Sequence, residues 1–207
     1  MNTKAEEKRK QLLKAAFHAA IEKGYESVTI QDIADDAGVS KGVVNYYFNN
    51  KADVFTQLFE WITTSIYKKE TESIDKQDTA LEKLEAYISQ VFISPEENKN
   101  FYRVYLDFLS QVKNNERYKV INLQFYENCW SIGRTIIQQG IEEGTFDVSD
   151  VEQTSMSMRA MIDGSLIQWL MRGEDHLHAY YRSLCHESIL SLLQADHSMK
   201  TEAQKGR

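Results

Sequence analysis

Pro95 is the single proline in this 207-residue chain, and only nine residues are glycine. A chain so poor in helix breakers leaves long uninterrupted segments, and 42% apolar residues suffice to bury them against one another. The length allows one large or two small domains. The expected fold is all-α: an N-terminal three-helix unit containing a helix-turn-helix, then a C-terminal helical bundle.

The most informative segment runs from Thr29 to Lys51, TIQDIADDAGVSKGVVNYYFNNK. Thr29 with Asp32 three positions later has the form of a capping box, so a helix starts there. Ile33, Ala34 and Ala37 give it an apolar face, and Gly38 is suited to the left-handed residue that ends it. Val39 plugs the turn and Ser40 is placed to cap a second helix. In that helix Val44 and Phe48 face inward, leaving Lys41, Asn45 and the outward edges of Tyr46 and Tyr47 exposed. Before this pair, a helix from Ala5 to Lys23 shows Leu13, Ala16, Phe17 and Ala20 on one side and stops at Gly24. The three helices are expected to bury Leu13, Phe17, Ile21, Val28, Ile30, Ile33, Ala37, Val39, Val44 and Phe48. A helix pair of this size is how proteins place side chains in the major groove of DNA. The alternative, a small helical hairpin with a solvated face, leaves two adjacent tyrosines exposed without use.

Readout of base edges requires hydrogen-bonding side chains near the start of the second helix of the pair. Lys41 is the candidate for guanine, Val43 for a thymine methyl, and Gln31 and Asn45 for adenine or, alternatively, for phosphate. Gly42 lets the backbone approach the duplex beside Ser40. Thr29, Tyr46, Tyr47 and Lys51 are assigned to phosphate, which positions without specifying.

The segment resembles the TetR family of bacterial transcriptional regulators. The resemblance rests on Leu13, Ala16, Phe17 and Gly24, then on Thr29, Ile33, Ala34, Gly38, Val39, Ser40, Gly42, Tyr47, Phe48 and Lys51. It implies a homodimeric, DNA-binding ligand sensor, usually a repressor. The family often has Tyr at position 45; Asn45 departs from it, which bears on the usual phosphate contact and on base preference. Further along, Met161-Ile162-Asp163-Gly164 and Gln168-Trp169-Leu170 are similar, more loosely, to the C-terminal part of the family's BetI-like branch.

The net charge of −7 is unevenly spread. Residues 1–51 hold eight basic and seven acidic side chains, and residues 52–207 hold sixteen and twenty-four. Lys4, Lys8, Arg9, Lys10, Lys14, Lys41 and Lys51 are candidates for one cationic face, with Asp35 and Asp36 turned away. The acidic remainder would help orient the basic end toward DNA. No run of 18 uncharged apolar residues exists and the N-terminus is too polar for a signal peptide, so the expectation is a cytoplasmic protein with no membrane partner. Cys129 and Cys185 are isolated packing residues. His176 and His178, with Asp175, Cys185 and His186, form at most a loose ligand set with the wrong helical spacing. They read as surface histidines, as do His18 and His197, and no metal or cofactor is expected. An enzyme built on such a bundle would need a metalloprotease, phosphate-loop or nucleophile motif, and none is found.

Beyond the pair, a helix from Ala52 to about Lys69 carries Val54, Phe55, Leu58, Phe59, Ile62 and Ile66, and a polar stretch from Glu70 to Asp78 separates it from the next. Thr79 to Phe92 is helical. Ser94-Pro95-Glu96-Glu97 starts a helix bearing Phe101, Tyr102, Tyr105, Phe108 and Leu109. Glu116 to Glu143 shows two apolar seams: Ile121, Phe125, Cys129, Ile132 and Ile136, and Leu123, Trp130, Ile137 and Ile141. Ser149 with Glu152 reads as another capping box, opening a helix to Arg172. A last helix, about 177–194, precedes a polar tail, 196–207. The expected division is therefore 1–51 for DNA binding and 52–195 for ligand binding and dimerisation.

A small-molecule effector pocket is expected among Phe101, Tyr105, Phe108, Phe125, Tyr126, Trp130, Met158 and Trp169, because aromatic and Met side chains suit adaptable cavities. Each of these is equally readable as ordinary core. Arg103, Asn128, Arg134, Arg159 and Asp163 are the polar groups available to orient a ligand. The dimer interface is assigned to Val151, Ile162, Leu166, Leu184, Ser188 and Leu192 on the last two helices. The partners are thus double-stranded operator DNA, an effector and a second copy.

Overall fold

The computed structural model describes residues 3–194; the tail from 196 and His197 lie outside the described residues. Among the described residues there are nine α-helices and no strand. In order they are α1 (Lys4–Lys23), α2 (Ile30–Asp36), α3 (Lys41–Tyr47), α4 (Lys51–Ile74) and α5 (Ala80–Val91). Then follow α6 (Pro95–Gln111), α7 (Glu116–Glu142), α8 (Val151–Arg172) and α9 (His178–Leu192), with short 3₁₀ turns at Val112–Asn114 and Asp175–Leu177. The chain forms two compact units, residues 1–66 with 99–125, and residues 67–98 with 126–207. Helices α4, α6 and α7 each contribute to both.

The first unit buries Leu12, Leu13, Ala15, Ala16, Ala19 and Ala20 of α1 against Ile33, Ala34, Val44 and Phe48. Phe17, Ile21, Ile30 and Val39, expected inside, are only half-buried. The small side chains of α1 take the contact instead, which lets α2 approach closely. Its second core is aromatic: Phe59 stacks on Phe108 at 4.3 Å, Phe101 on Tyr105 at 5.3 Å, and Tyr118 meets Phe108 edge-on at 4.8 Å.

In the second unit Gly140 is pressed against Phe146, whose ring would lie 2.0 Å from a Cβ placed there. The Gly140 carbonyl accepts from the N–H groups of Thr145 and Phe146, so the chain turns tightly after α7. His178 is buried, not at the surface as expected: it packs 4.7 Å from Trp169 and bonds Asn98 Oδ1 at 2.7 Å. Burial, with help from Arg182, holds its pKa below the usual histidine value.

Several local expectations are corrected. The helix does not end near Lys69, because α4 continues to Ile74, with Glu70 and Ile74 one turn apart and both buried. A buried acid at Glu70 and a buried Thr63 interrupt the apolar pattern that would have revealed the seam. Helix α8 opens on Asp150, whose carboxylate accepts from Gln153 N, while Glu152 pairs with Arg134. Leu123 of the second α7 seam is exposed in the single chain. On α9 the inward side is Tyr181, Cys185, Ile189 and Leu190, and Leu184 faces out.

Candidate nucleic-acid interface

The expected capping box forms in full at the start of α2. Asp32 N donates to Thr29 Oγ1 at 3.2 Å, and Thr29 N donates to Asp32 Oδ2 at 2.8 Å. The Thr29 hydroxyl also donates to the same carboxylate at 2.8 Å, so in the free chain it already serves the cap. Lys23 and then Thr29 hold the Asp32 carboxyl well below the usual carboxylate range, at about 2.

Between α2 and α3, Gly38 has φ +64°, a conformation other residues adopt only with strain. Val39 N returns to Ala34 O at 2.9 Å, and Gln11 of α1 donates to Ala37 O at 2.9 Å, fastening the turn to the first helix. Ser40 occupies the cap position of α3, but its side chain makes no cap bond; its carbonyl instead accepts from Val43 N at 2.9 Å. Ser40 is itself exposed.

Lys41, Gly42, Asn45 and Tyr46 are exposed, Val43 and Tyr47 are half-buried, and Val44 is fully buried. Tyr46 is 83% exposed, the most exposed large apolar side chain among the described residues. Among the described residues no side-chain hydrogen bond or ion pair engages Lys41 or Asn45, whose backbone groups lie in α3. The two tyrosines are not equivalent. Tyr47 stands edge-on to Tyr46 at 5.2 Å and lies under the Arg9 guanidinium at 5.8 Å. Arg9 also covers Phe48 and donates to Gln57. Sequence reasoning missed this clamp, since nothing local links residue 9 to residue 47.

Gln31 donates to Asp35 at 2.7 Å, and Asp36 pairs with His18 at 2.6 Å, which raises the histidine's pKa. Lys51 donates to Glu26 O at 2.8 Å with its ammonium 4.7 Å from the Tyr25 ring centre. The expected basic face is divided. Lys10 and Lys14 line a groove of about 780 Å³ together with Glu7, Asp36 and Trp61, while Arg9 is held against α3.

The eight aromatic and Met candidates for an effector pocket fall in both compact units. Phe101, Tyr105, Phe108 and Phe125 form the aromatic core of the first unit; Tyr126, Trp130, Met158 and Trp169 belong to the second. Arg134 is taken up by Glu127 and Glu152. Arg159 is buried and paired with Asp163 at 2.6 Å. Ile162 and Leu166, assigned to a dimer interface, are 0% and 1% exposed within their own chain and present nothing to a partner. The large apolar side chains of α8 and α9 that do face outward are Met156, Met171, Tyr180 and Leu184.

A helix pair set by a glycine turn, with an exposed row of amine, amide and phenol on its second member, defines a helix-turn-helix DNA-binding protein. A profile of bacterial regulatory proteins of the TetR family matches residues 12–58, and one for the C-terminal part of BetI-type transcriptional repressors matches residues 80–194. The chain belongs to the TetR family, the bacterial DNA-binding transcriptional regulators. It is 29% identical over 167 residues to the fatty acid metabolism regulator protein of Bacillus subtilis, covering 80% of this chain and 85% of that protein. A TetR transcription regulator from Haloarcula marismortui superposes with a TM-score of 0.80 at 22% identity, covering 91% of this chain and 97% of the other. The B. subtilis regulator FadR, solved in complex with stearoyl-CoA, superposes with a TM-score of 0.74 at 25% identity, covering 91% and 99%. No helix among the described residues is long and apolar enough to cross a membrane.

Proposed function

We propose that this protein is a cytoplasmic, homodimeric repressor that holds an operator through α3 and is released by a small-molecule inducer. Residues 1–51 serve DNA binding, and residues 52–195 serve the effector and the dimer. It is a regulator and not an enzyme. In this reading Lys41 bonds guanine O6 or N7, Val43 touches a thymine methyl, and Asn45 reads adenine, with Gln31 joining once it leaves Asp35. Ser40 and Gly42 admit the backbone close to the duplex. Tyr46, Tyr47, Lys51 and Thr29 contact phosphate. The observation that carries the reading is the outward row Lys41, Asn45 and Tyr46 on a helix whose Val44 and Phe48 anchor it inward.

Two copies place their α3 helices in successive major grooves about 34–36 Å apart. Met156, Met171, Tyr180 and Leu184 are the large apolar side chains exposed for such a partner on α8 and α9. Inducer binding favours a spacing that cannot meet both half-sites, a shift between two populations. The stearoyl-CoA bound to the B. subtilis relative supports the effector part of the reading. A mobility-shift titration on the DNA flanking the protein's own gene tests the whole. Saturable binding of two protomers per site is expected; equal binding to unrelated DNA would contradict it.

A further inference from the structure

The cation Arg9 is engaged by α3 and α4 and is not held out to solvent. Its guanidinium, on the second turn of α1, is half-buried. It lies over the last residue of α3 and the residue that caps that helix, 5.8 Å from the Tyr47 ring centre and 5.5 Å from that of Phe48. It also donates to Gln57 Oε1 on α4. Gln57 is itself held: its Nε2 donates to Asp53 Oδ1 at 2.9 Å, which leaves its oxygen for Arg9. The other Asp53 oxygen accepts from the backbone N–H of Asn49 at 2.9 Å and from its side-chain amide at 3.1 Å. A chain of polar contacts thus runs from Arg9 through Gln57 and Asp53 to Asn49, two residues beyond Tyr47, all within the first unit. Tyr46 is 83% exposed, whereas Tyr47 is half-buried between Arg9 and the edge-on Tyr46 ring at 5.2 Å.

We propose that Arg9 is a positioning residue for DNA binding: it fixes the Tyr47 ring so that the phenol meets a backbone phosphate, and Gln57 of α4 fixes Arg9. The proposal rests on the assignment of Tyr47 to phosphate and adds what holds the phenol in place. Arg9 does not itself neutralise phosphate, because swinging outward would strip two rings and the Gln57 oxygen of their cation. A phenol offers phosphate one neutral hydrogen bond, whose worth depends on the ring being ordered before DNA arrives. A guanidinium over an aromatic ring supplies that order through charge and flat contact together. Because the oxygen that holds Arg9 stands on α4, a shift of α4 against α1 loosens the phenol.

The test is a double-mutant cycle on the full chain, read by fluorescence anisotropy at several salt concentrations. The probes are labelled duplex from the DNA flanking the protein's own gene and random duplex of equal length, with thermal melts to show that each variant is folded. Arg9→Met keeps the stem and removes the cation and its donors. It should weaken both duplexes alike, by roughly three- to ten-fold, because phosphate contacts position without specifying. The salt slope should stay as in wild type. A slope flatter by about one unit would make Arg9 a phosphate contact and overturn the proposal. In a Tyr47→Phe background, which lacks the phenol oxygen, Arg9→Met should cost no more than about two-fold further, whereas in a Lys41→Ala background its full cost should persist. Gln57→Met, outside every assigned DNA contact, should repeat the pattern at smaller amplitude, and it carries the cycle alone if Arg9→Met does not fold. Full affinity in Gln57→Met would overturn the link to α4. If Tyr47→Phe weakens binding and Arg9→Met costs as much there as in wild type, Arg9 is merely structural and the proposal fails by itself. Tyr47→Phe binding as tightly as wild type would instead sink the phosphate assignment beneath it.

Discussion

The Asp107 carboxylate on α6 accepts a hydrogen bond from the backbone N–H of Tyr25, in the loop that follows α1, at 2.9 Å. The same loop is tied at Glu26 by Gln111 at 3.0 Å and by Lys51 at 2.8 Å. Tyr25 packs edge-on against Phe55 at 4.9 Å and lies 6.4 Å from Phe108. The short segment leading into Thr29, and hence into α2, is thus positioned by α4 and α6 together.

Replacing Asp107 with Ala removes a charged acceptor and leaves a part-buried N–H unsatisfied. Unfolding free energy should fall by about 1–3 kcal/mol in denaturant titration. Operator affinity should fall too, with the ratio of operator to random DNA kept. Unchanged stability would show that the contact holds nothing in place.

Lys51→Ala should weaken binding to every DNA alike and flatten the salt dependence by about one unit of slope. Because its ammonium also sits on the Tyr25 ring, the variant should lose about 0.5–1 kcal/mol of stability. Anisotropy titrations at several salt concentrations check the first part; an unaltered slope would remove Lys51 from the phosphate contacts.

Glu70 sets a pH dependence whose sign is fixed by its raised pKa. Between the unfolded value of 4.5 and about 7 the folded chain binds more protons than the unfolded one, so stability falls as pH rises through that window. The loss amounts to about 3 kcal/mol and levels off above it. Glu70→Gln should remove this slope and be the more stable protein at pH 8. Parallel pH profiles for the two would contradict the assignment.

Much of the DNA-reading half was legible because it is written locally. Thr29 and Asp32 lie three apart, Gly38 marks the turn, and Val44 with Phe48 face inward, so short-range chemistry alone placed α2 and α3. The failures were long-range. Arg9 reaches Tyr47 and Asp107 reaches Tyr25 across 38 and 82 positions, distances over which no periodicity speaks. Glu70 falls in a stretch whose polar composition hides the last turns of α4, because a buried acid looks like a solvated one until its surroundings are known. Ile162 and Leu166 were given to a dimer because an apolar stripe does not say whether its own chain or a second copy covers it.

The most direct measurement is the affinity of wild type and Lys41→Ala for operator, for operator changed at one base pair, and for random DNA. Lys41→Ala should lose about 1–3 kcal/mol on the operator, bind random DNA nearly as before, and cease to discriminate at one base position. Equal losses on operator and random DNA would contradict the placement of α3 as the reading helix.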